Sequence, residues 1–269
     1  MEKIPEINKE KLKEGCNVEV HVLFSRHAEK DSHDGSITMK GQKDSQTFGK
    51  KLQRLSSIKG YVIEPTTHSG HERTFRTAHL IDNPNENLEN LESPREANEE
   101  ATENVLNSSV DRYSKEADEK YAELADGNYS SEGDAVEYFA KLNDKRYDEN
   151  TPSSVEMSQS IANDILRIVE STKTMPSDSK KFLPNIVHSG VFEHFLIDLL
   201  KKRNEEKPID SIGGSLNFLG FDDFRLYIKR ENPDNAIIQF RFRERNENGS
   251  MHYYEITEEE LKNLAEIKN

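Results

Sequence analysis

Apolar and polar positions along the chain fall into short alternating or helical runs separated by turn residues. Residues 17–24 (NVEVHVLF) are β-branched and partly alternating, which predicts a strand ending in Ser25-Arg26-His27. Phe48, Leu52 and Leu55 recur at helical spacing and predict a helix over 41–55. A short strand is expected at 61–63, running into Thr66-Thr67-His68-Ser69, and a second helix at 73–81 that starts near Gly70 or His71. Further along, Val155, Met157, Ile161, Ile165, Ile168 and Val169 share one side of a long amphipathic helix. A strand follows at 182–187, ending at His188-Ser189-Gly190, and then an apolar helix at 191–202. Three stretches, 224–229, 236–243 and 251–256, read as antiparallel β, and a last helix begins at Thr257 with Glu260 in capping-box position. The β-α-β-α order of the first half favours a parallel sheet covered by helices.

Between these two patterned halves lies a segment of different character. Residues 82–150 contain 20 acidic and 7 basic side chains, a net charge of −13, whereas the whole chain of 269 residues carries −14. Such asymmetry marks a separate module or a solvated arm. Ser93-Pro94-Arg95-Glu96 has the residue types of a helix start, and weak helical patterns follow over 110–125 and 135–142. Tyr113, Tyr121, Tyr129, Tyr138, Phe139 and Tyr147 argue against an unfolded acidic arm, because such arms are poor in aromatics. The expectation is one domain over 1–269 with an inserted helical acidic cap over 82–150.

Charge and composition narrow the function classes. An excess of acid argues against nucleic acid as a general partner, since phosphate backbones require a basic stripe. No apolar run approaches the roughly 20 residues of a membrane helix, so no membrane association is expected. Residues 1–15 lack the apolar core of a secretory signal, and the single Cys16 supports neither an intrachain disulfide nor a thiolate zinc site. A soluble protein of a reducing, cytoplasmic compartment is the expectation.

Three stretches carry the chemistry, all where strands hand over to helices, the place where open α/β sheets bind ligands. They are Leu23-Phe24-Ser25-Arg26-His27-Ala28-Glu29 with Ile37-Thr38-Met39-Lys40-Gly41, then residues 69–78 (SGHERTFRTA), then Ile186-Val187-His188-Ser189-Gly190. Taken singly each has a bland reading: a surface turn, a solvated arginine, a hydrogen-bonded core histidine. Together, in this order, the chain resembles the histidine phosphatase superfamily, with its phosphoglycerate mutase-like fold. Arg26-His27-Ala28 stands where that family has an Arg-His-Gly-type motif, and Ser69 to Ala78 approximates its Ser-x-x-x-Arg-Ala-x-x-Thr-Ala stretch, with Thr74 for the first Ala. Ala28 and Asp44 depart from the family's Gly and Gln, and neither change removes a reacting group. The resemblance spans residues 14–81 and 153–200 and is thin in the insert and the C-terminal β region. It implies a three-layer α/β/α sandwich with a mostly parallel central sheet.

It also implies a phosphomonoesterase working through a phosphohistidine on His27, without metal or other cofactor, on a small phosphorylated substrate. Elementary chemistry agrees: a neutral imidazole is a competent nucleophile, and guanidinium groups such as Arg26 and Arg73 fork phosphate oxygens. Their charge disfavours the imidazolium form of His27. His188 would donate to a further oxygen. The general acid for the leaving group is expected at Glu92, with Glu96, Glu99, Glu100 and, less strongly, Glu193 as alternatives. His33, His68 and His71 lie near the expected pocket as possible substrate contacts, and Lys30 would add positive charge at its mouth. His194 reads as a packed histidine and Cys16 as an inert thiol. Two other readings stand beside hydrolysis: a phosphoglycerate mutase-type transferase, and a non-catalytic phosphate-binding protein docking through the acidic cap. The first lacks the mutases' usual Ser and Trp-Asn continuation after the Arg-His pair; the second has no need of a nucleophile. A cap overhanging the pocket would disfavour polyanionic substrates.

Overall fold

The computed structural model describes residues 14–31, 36–88, 114–125, 132–188, 190, 192–203, 224–243 and 251–266. Strand β1 (Val18–Arg26) is central. Its first residues alternate between buried and half-buried, and its last five are all buried, as suits a strand covered on both faces toward its carboxyl end. Helix α1 (Met39–Lys59) follows, capped by the Thr38 side chain, which accepts from the Gly41 N–H. Strands β2 (Val62–Ile63) and β3 (Thr67–His68) lead into α2 (Glu72–Asp82). Helices α3 (Lys115–Ala125) and α4 (Glu132–Leu142) come next, then α5 (Ser154–Ser171), β4 (Lys180–Val187) and α6 (Phe192–Lys202). The chain closes with β5 (Phe224–Asn232), β6 (Asn235–Arg243), β7 (Met251–Ile256) and α7 (Glu258–Ala265).

The sheet runs β2-β4-β1-β5-β6-β7, with β3 also paired to β4. β1, β2 and β3 all pair β4 in parallel, and β5, β6 and β7 add an antiparallel wing. The sheet is thus parallel in its core, and the fold is the expected α/β class. The wing lies on the three stretches read as antiparallel β. The two-residue β3 is an element that the sequence pattern did not separate from its loop: Thr67 and His68 are too few to show a period.

Two apolar cores flank the sheet. On one face α1 and α2 pack Phe48, Leu52, Ala78 and Ile81 against Leu23, Phe182 and Ile186. On the other, α5, α6 and α7 pack Ile161, Ile165, Phe195, Leu196 and Leu261 against Val18, Val20, Val22, Leu226 and Phe240. Each such side chain, fully buried, contributes about 1.5–3 kcal/mol. Val136 and Ala140 of α4 join this second core, so α4 rests on the body of the fold, and α3 packs on α4. The buried Arg230 ties β5 to both α5 and α7, donating to Thr172 Oγ1, Val169 O and Glu258 Oε1. Both capping boxes, Ser153/Glu156 and Thr257/Glu260, are formed. The helix start expected at Ser93 lies outside the described residues. Among the described residues no helix is long and apolar enough to cross a membrane.

One consequence of this topology positions the site. The helix after β1 goes to one face of the sheet and the helix after the adjacent β4 goes to the other. Adjacent strands whose connections leave on opposite faces open a crevice at their carboxyl ends. Arg26-His27 and Val187-His188 end these two strands side by side.

Candidate active site

His27 follows β1 and is tied to β4 through its backbone N–H, which donates to Val187 O at 3.1 Å. The residue is 2 % exposed. Its ring Nδ1 lies 2.7 Å from the Ala28 carbonyl oxygen. A carbonyl only accepts, so Nδ1 carries the proton and Nε2 keeps its lone pair. Burial first, and then the neighbouring His188 and the charges of Arg26 and Arg73, push the His27 pKa far below the ordinary imidazole value. The ring is a neutral base with a fixed tautomer.

His188, 8 % exposed, faces it edge to face, with ring centroids 5.2 Å apart. Arg73 Nη2 stands 3.2 Å from His188 Nδ1. Arginine has no acceptor, so His188 Nδ1 accepts and Nε2 bears the hydrogen. That N–H donates to Ser69 Oγ at 3.0 Å. Ser69 in turn meets Thr74 Oγ1 at 3.1 Å, and Thr74 donates to the His71 carbonyl at 2.8 Å. The hydrogen-bond direction therefore runs Arg73, His188, Ser69, Thr74, His71, with every donor assigned. The N–H expected to hold a phosphate oxygen rests on Ser69.

A second link joins the first two motifs. Thr77 Oγ1 accepts from the Ala28 N–H at 3.0 Å and donates to the Arg73 carbonyl at 2.7 Å. The turn carrying His27 is thus pinned to the helix carrying Arg73. Arg26 is 9 % exposed at the end of β1, and its charge acts on His27 together with that of Arg73. The structure brings four of the five expected residues, Arg26, His27, Arg73 and His188, to the crevice. Glu92, with Glu96, Glu99 and Glu100, lies outside the described residues, as does His33.

Glu193 is fully buried, and its Oε2 accepts from the Gly190 N–H at 3.0 Å, holding the turn after His188. That is a structural task. Of the nearby histidines, His71 lies at the site, its ring 4.8 Å from that of His188, while His68 accepts from Gly70 N and packs on Phe75. His194 is buried against Ser154, as expected of a packed histidine.

Sequence reasoning did not assign roles to Ser69, Thr74 and Thr77, although all three sit in the quoted stretch. Their spacing around Arg73, with Ser69 just before α2 and Thr74 and Thr77 on its first turns, was the available signal. It also missed Tyr121. Gly190 has φ +88°, a conformation favouring glycine, and a Cβ there would sit 3.0 Å from Tyr121 Cε2. A tyrosine of α3 thus leans on the loop that follows His188. Among the described residues no group of three or more His, Cys, Asp or Glu side chains is gathered to hold a metal ion.

No protein-family model matches the sequence, and no curated protein matches it. Solved structures do. The mycobacterial glucosyl-3-phosphoglycerate phosphatase is 11% identical over 78% of this chain and 89% of its own, with a TM-score of 0.39. A phosphoserine phosphatase mutant from Entamoeba histolytica, in complex with phosphoserine, is 11% identical over 78% of this chain and 90% of its own, at 0.35. A phosphoglycerate mutase from Plasmodium falciparum is 12% identical over 89% of this chain and all of its own (100%), at 0.32. Likeness at this level settles neither substrate nor mechanism, which rest on the site itself.

Proposed function

We propose that this chain is a phosphoric monoester hydrolase of the histidine phosphatase type, acting through a phosphohistidine on His27 without a metal ion. The observation that carries the reading is the hydrogen bond from His27 Nδ1 to the Ala28 carbonyl, which leaves the Nε2 lone pair of a neutral ring beside two arginines and a second histidine. In the first step Nε2 attacks phosphorus and the ester P–O bond breaks. The leaving alkoxide takes a proton from a carboxylic acid, the role proposed for Glu92. In the second step the carboxylate left by the first takes a proton from water, whose oxygen attacks phosphorus; the N–P bond breaks, and inorganic phosphate leaves. Arg26 and Arg73 hold the equatorial oxygens through both steps. His188 exchanges Ser69 for a phosphate oxygen as charge builds.

The insert is read as a cap over this crevice, a reading supported by the contact of Tyr121 with the loop at Gly190. Its acidity would favour small phosphoesters of low charge over inositol polyphosphates. Hydrolysis of p-nitrophenyl phosphate in the presence of a chelator is the expected activity. His27→Ala should abolish both turnover and incorporation of acid-labile phosphate into the protein, and a variant with wild-type turnover would sink the nucleophile assignment.

A further inference from the structure

Tyr121 takes no part in the two transfer steps, yet it reaches the loop that follows His188. On α3, Ala117, Tyr121 and Ala125 lie four residues apart and share one face, and both alanines are buried. The small residues let the helix come close, and the tyrosine between them projects inward. It packs against the core that α5 and α6 build on the sheet. Its ring lies roughly parallel to that of Phe139 on α4, with 6.2 Å between centroids. Phe139 is itself buried, with Tyr138 and Tyr147 beside it, and Val136 and Ala140 of the same helix are core residues. Tyr121 is thus held through α4 by the body of the fold.

What the ring presses on is the turn after His188. Gly190 is buried, and at φ +88° its backbone is in a conformation that side-chain-bearing residues rarely adopt. The place a Cβ would take there lies 3.0, 3.3 and 3.2 Å from Tyr121 Cε2, Cζ and Oη. The hydroxyl end of the phenol therefore fills the room of a side chain at 190. From the other side the buried Glu193 accepts the Gly190 N–H at 3.0 Å. The turn is gripped between α6 and α3. Two residues back, the His188 ring is bonded to Arg73 and Ser69. Those bonds orient the ring, but how far Nε2 reaches into the crevice depends also on where the backbone stands. Misplacement by about 1 Å can cost about 10²-fold in rate.

We propose that Tyr121 is a positioning residue for His188: pressed on Gly190, it holds the backbone of the turn so that the histidine meets the phosphoryl group in place. Its effect on rate rests on the hydrolase reading, whereas its effect on the His188 ring rests on geometry alone. Bulk is the agent, since two of the three closest atoms are ring carbons. The loss belongs in kcat more than in KM. The two arginines hold the phosphate of the ground state, and His188 acts as charge builds.

Kinetics on p-nitrophenyl phosphate and NMR of the His188 ring, both on the full chain, test it together. Tyr121→Ala is expected to lower kcat about tenfold or more with little change in KM, and to shift the His188 Nε2–H resonance. Tyr121→Phe should keep both near wild type. Gly190→Ala should also lose rate, and adding it to Tyr121→Ala should cost less than the product of the two, because its methyl enters vacated room. Should Tyr121→Ala fail to fold, Tyr121→Leu is measured instead, with the same direction expected. A tyrosine that only supported the cap would lower the melting temperature on replacement and leave kcat and the resonance unchanged, which overturns the proposal. Full additivity of the Tyr121 and Gly190 changes overturns it too, as does a Tyr121→Phe as slow as Tyr121→Ala. If wild type shows no turnover, the hydrolase reading fails and the His188 resonance in Tyr121→Ala decides alone.

Discussion

Arg73 Nη2 donates to His188 Nδ1 across 3.2 Å, which makes the two residues one unit. The arginine fixes the histidine's tautomer, and the histidine holds one end of the guanidinium proposed to grip phosphate. Residues acting as a unit lose their effect together. Arg73→Ala and His188→Ala are each expected to lower kcat/KM on p-nitrophenyl phosphate by about 10²–10³. The double variant should lose far less than the product of the two. Arg73→Lys should not rescue, because an ammonium is a point charge without the fork. A double-mutant cycle checks this, and full additivity would break the unit apart.

The His27 ring is neutral because it is buried beside positive groups. Its resonances should therefore show no titration between pH 8 and 5, a window in which a free imidazole, with a pKa of about 6.5, would take up its proton. Proton NMR of the ring, assigned by comparison with His27→Ala, reads this directly. A midpoint near 6.5 would mean that the proton competes with phosphorus for Nε2.

Much of this was legible in the sequence, for identifiable reasons. The sheet strands and the long helices carry strong periodicity, as with Val18, Val20 and Val22 or Ile161, Ile165 and Ile168, and each became a row of core contacts. Arg26, His27, Arg73 and His188 were legible as candidates because each ends or follows a strand or opens a helix. What stayed hidden were relations between distant residues. Nothing local in Thr77 says that it will cap the Ala28 amide, and nothing in Tyr121 says that it will lean on Gly190. The facing of Arg225 and Arg241 depends on the register of β5 on β6, and period alone does not fix register.

Close approach of α1 and α2 rests on Gly49. A Cβ there would fall well inside van der Waals contact with the Ile81 carbonyl oxygen, so the helices must separate to admit it. Gly49→Ala is expected to destabilise the fold by about 1–3 kcal/mol, despite the better helix propensity of alanine. Because α2 carries Arg73, turnover should fall as well. Urea unfolding with a parallel activity assay checks both, and an unchanged midpoint would show that the helices have room.

Burial, with a smaller effect of Lys201, holds the His194 pKa down at about 4. Below about pH 6.5 the unfolded chain accepts a proton that the folded chain refuses. Stability from this group is therefore full above pH 6.5 and is lost as pH falls toward 4, at about 1.4 kcal/mol per pH unit. His194→Gln should remove one proton from the linkage slope in that window, whatever it does to absolute stability. Unfolding free energies at pH 6.5, 5.5 and 4.5 measure it, and an unaltered slope would rule out the assignment.

Asp164 titrates in the opposite sense. It is 4 % exposed, beside a small cavity lined also by Ser69 and Phe192, and burial raises its pKa to about 6 although Arg167 Nη1 lies 3.0 Å away. The unfolded carboxyl ionises near 3.9, so between there and pH 6 the folded state holds the extra proton and stability falls as pH rises. Asp164→Asn keeps the shape without the charge. It should raise stability at pH 7 by about 1–3 kcal/mol and give little at pH 4. Between pH 4 and 6 the His194 and Asp164 contributions run against each other, so the wild type should be flatter than either variant. With the aspartate replaced, stability should climb with pH through that window, and with the histidine replaced it should decline. Parallel slopes in the two variants would mean that at least one of these groups ionises in the folded protein as it does in the unfolded chain.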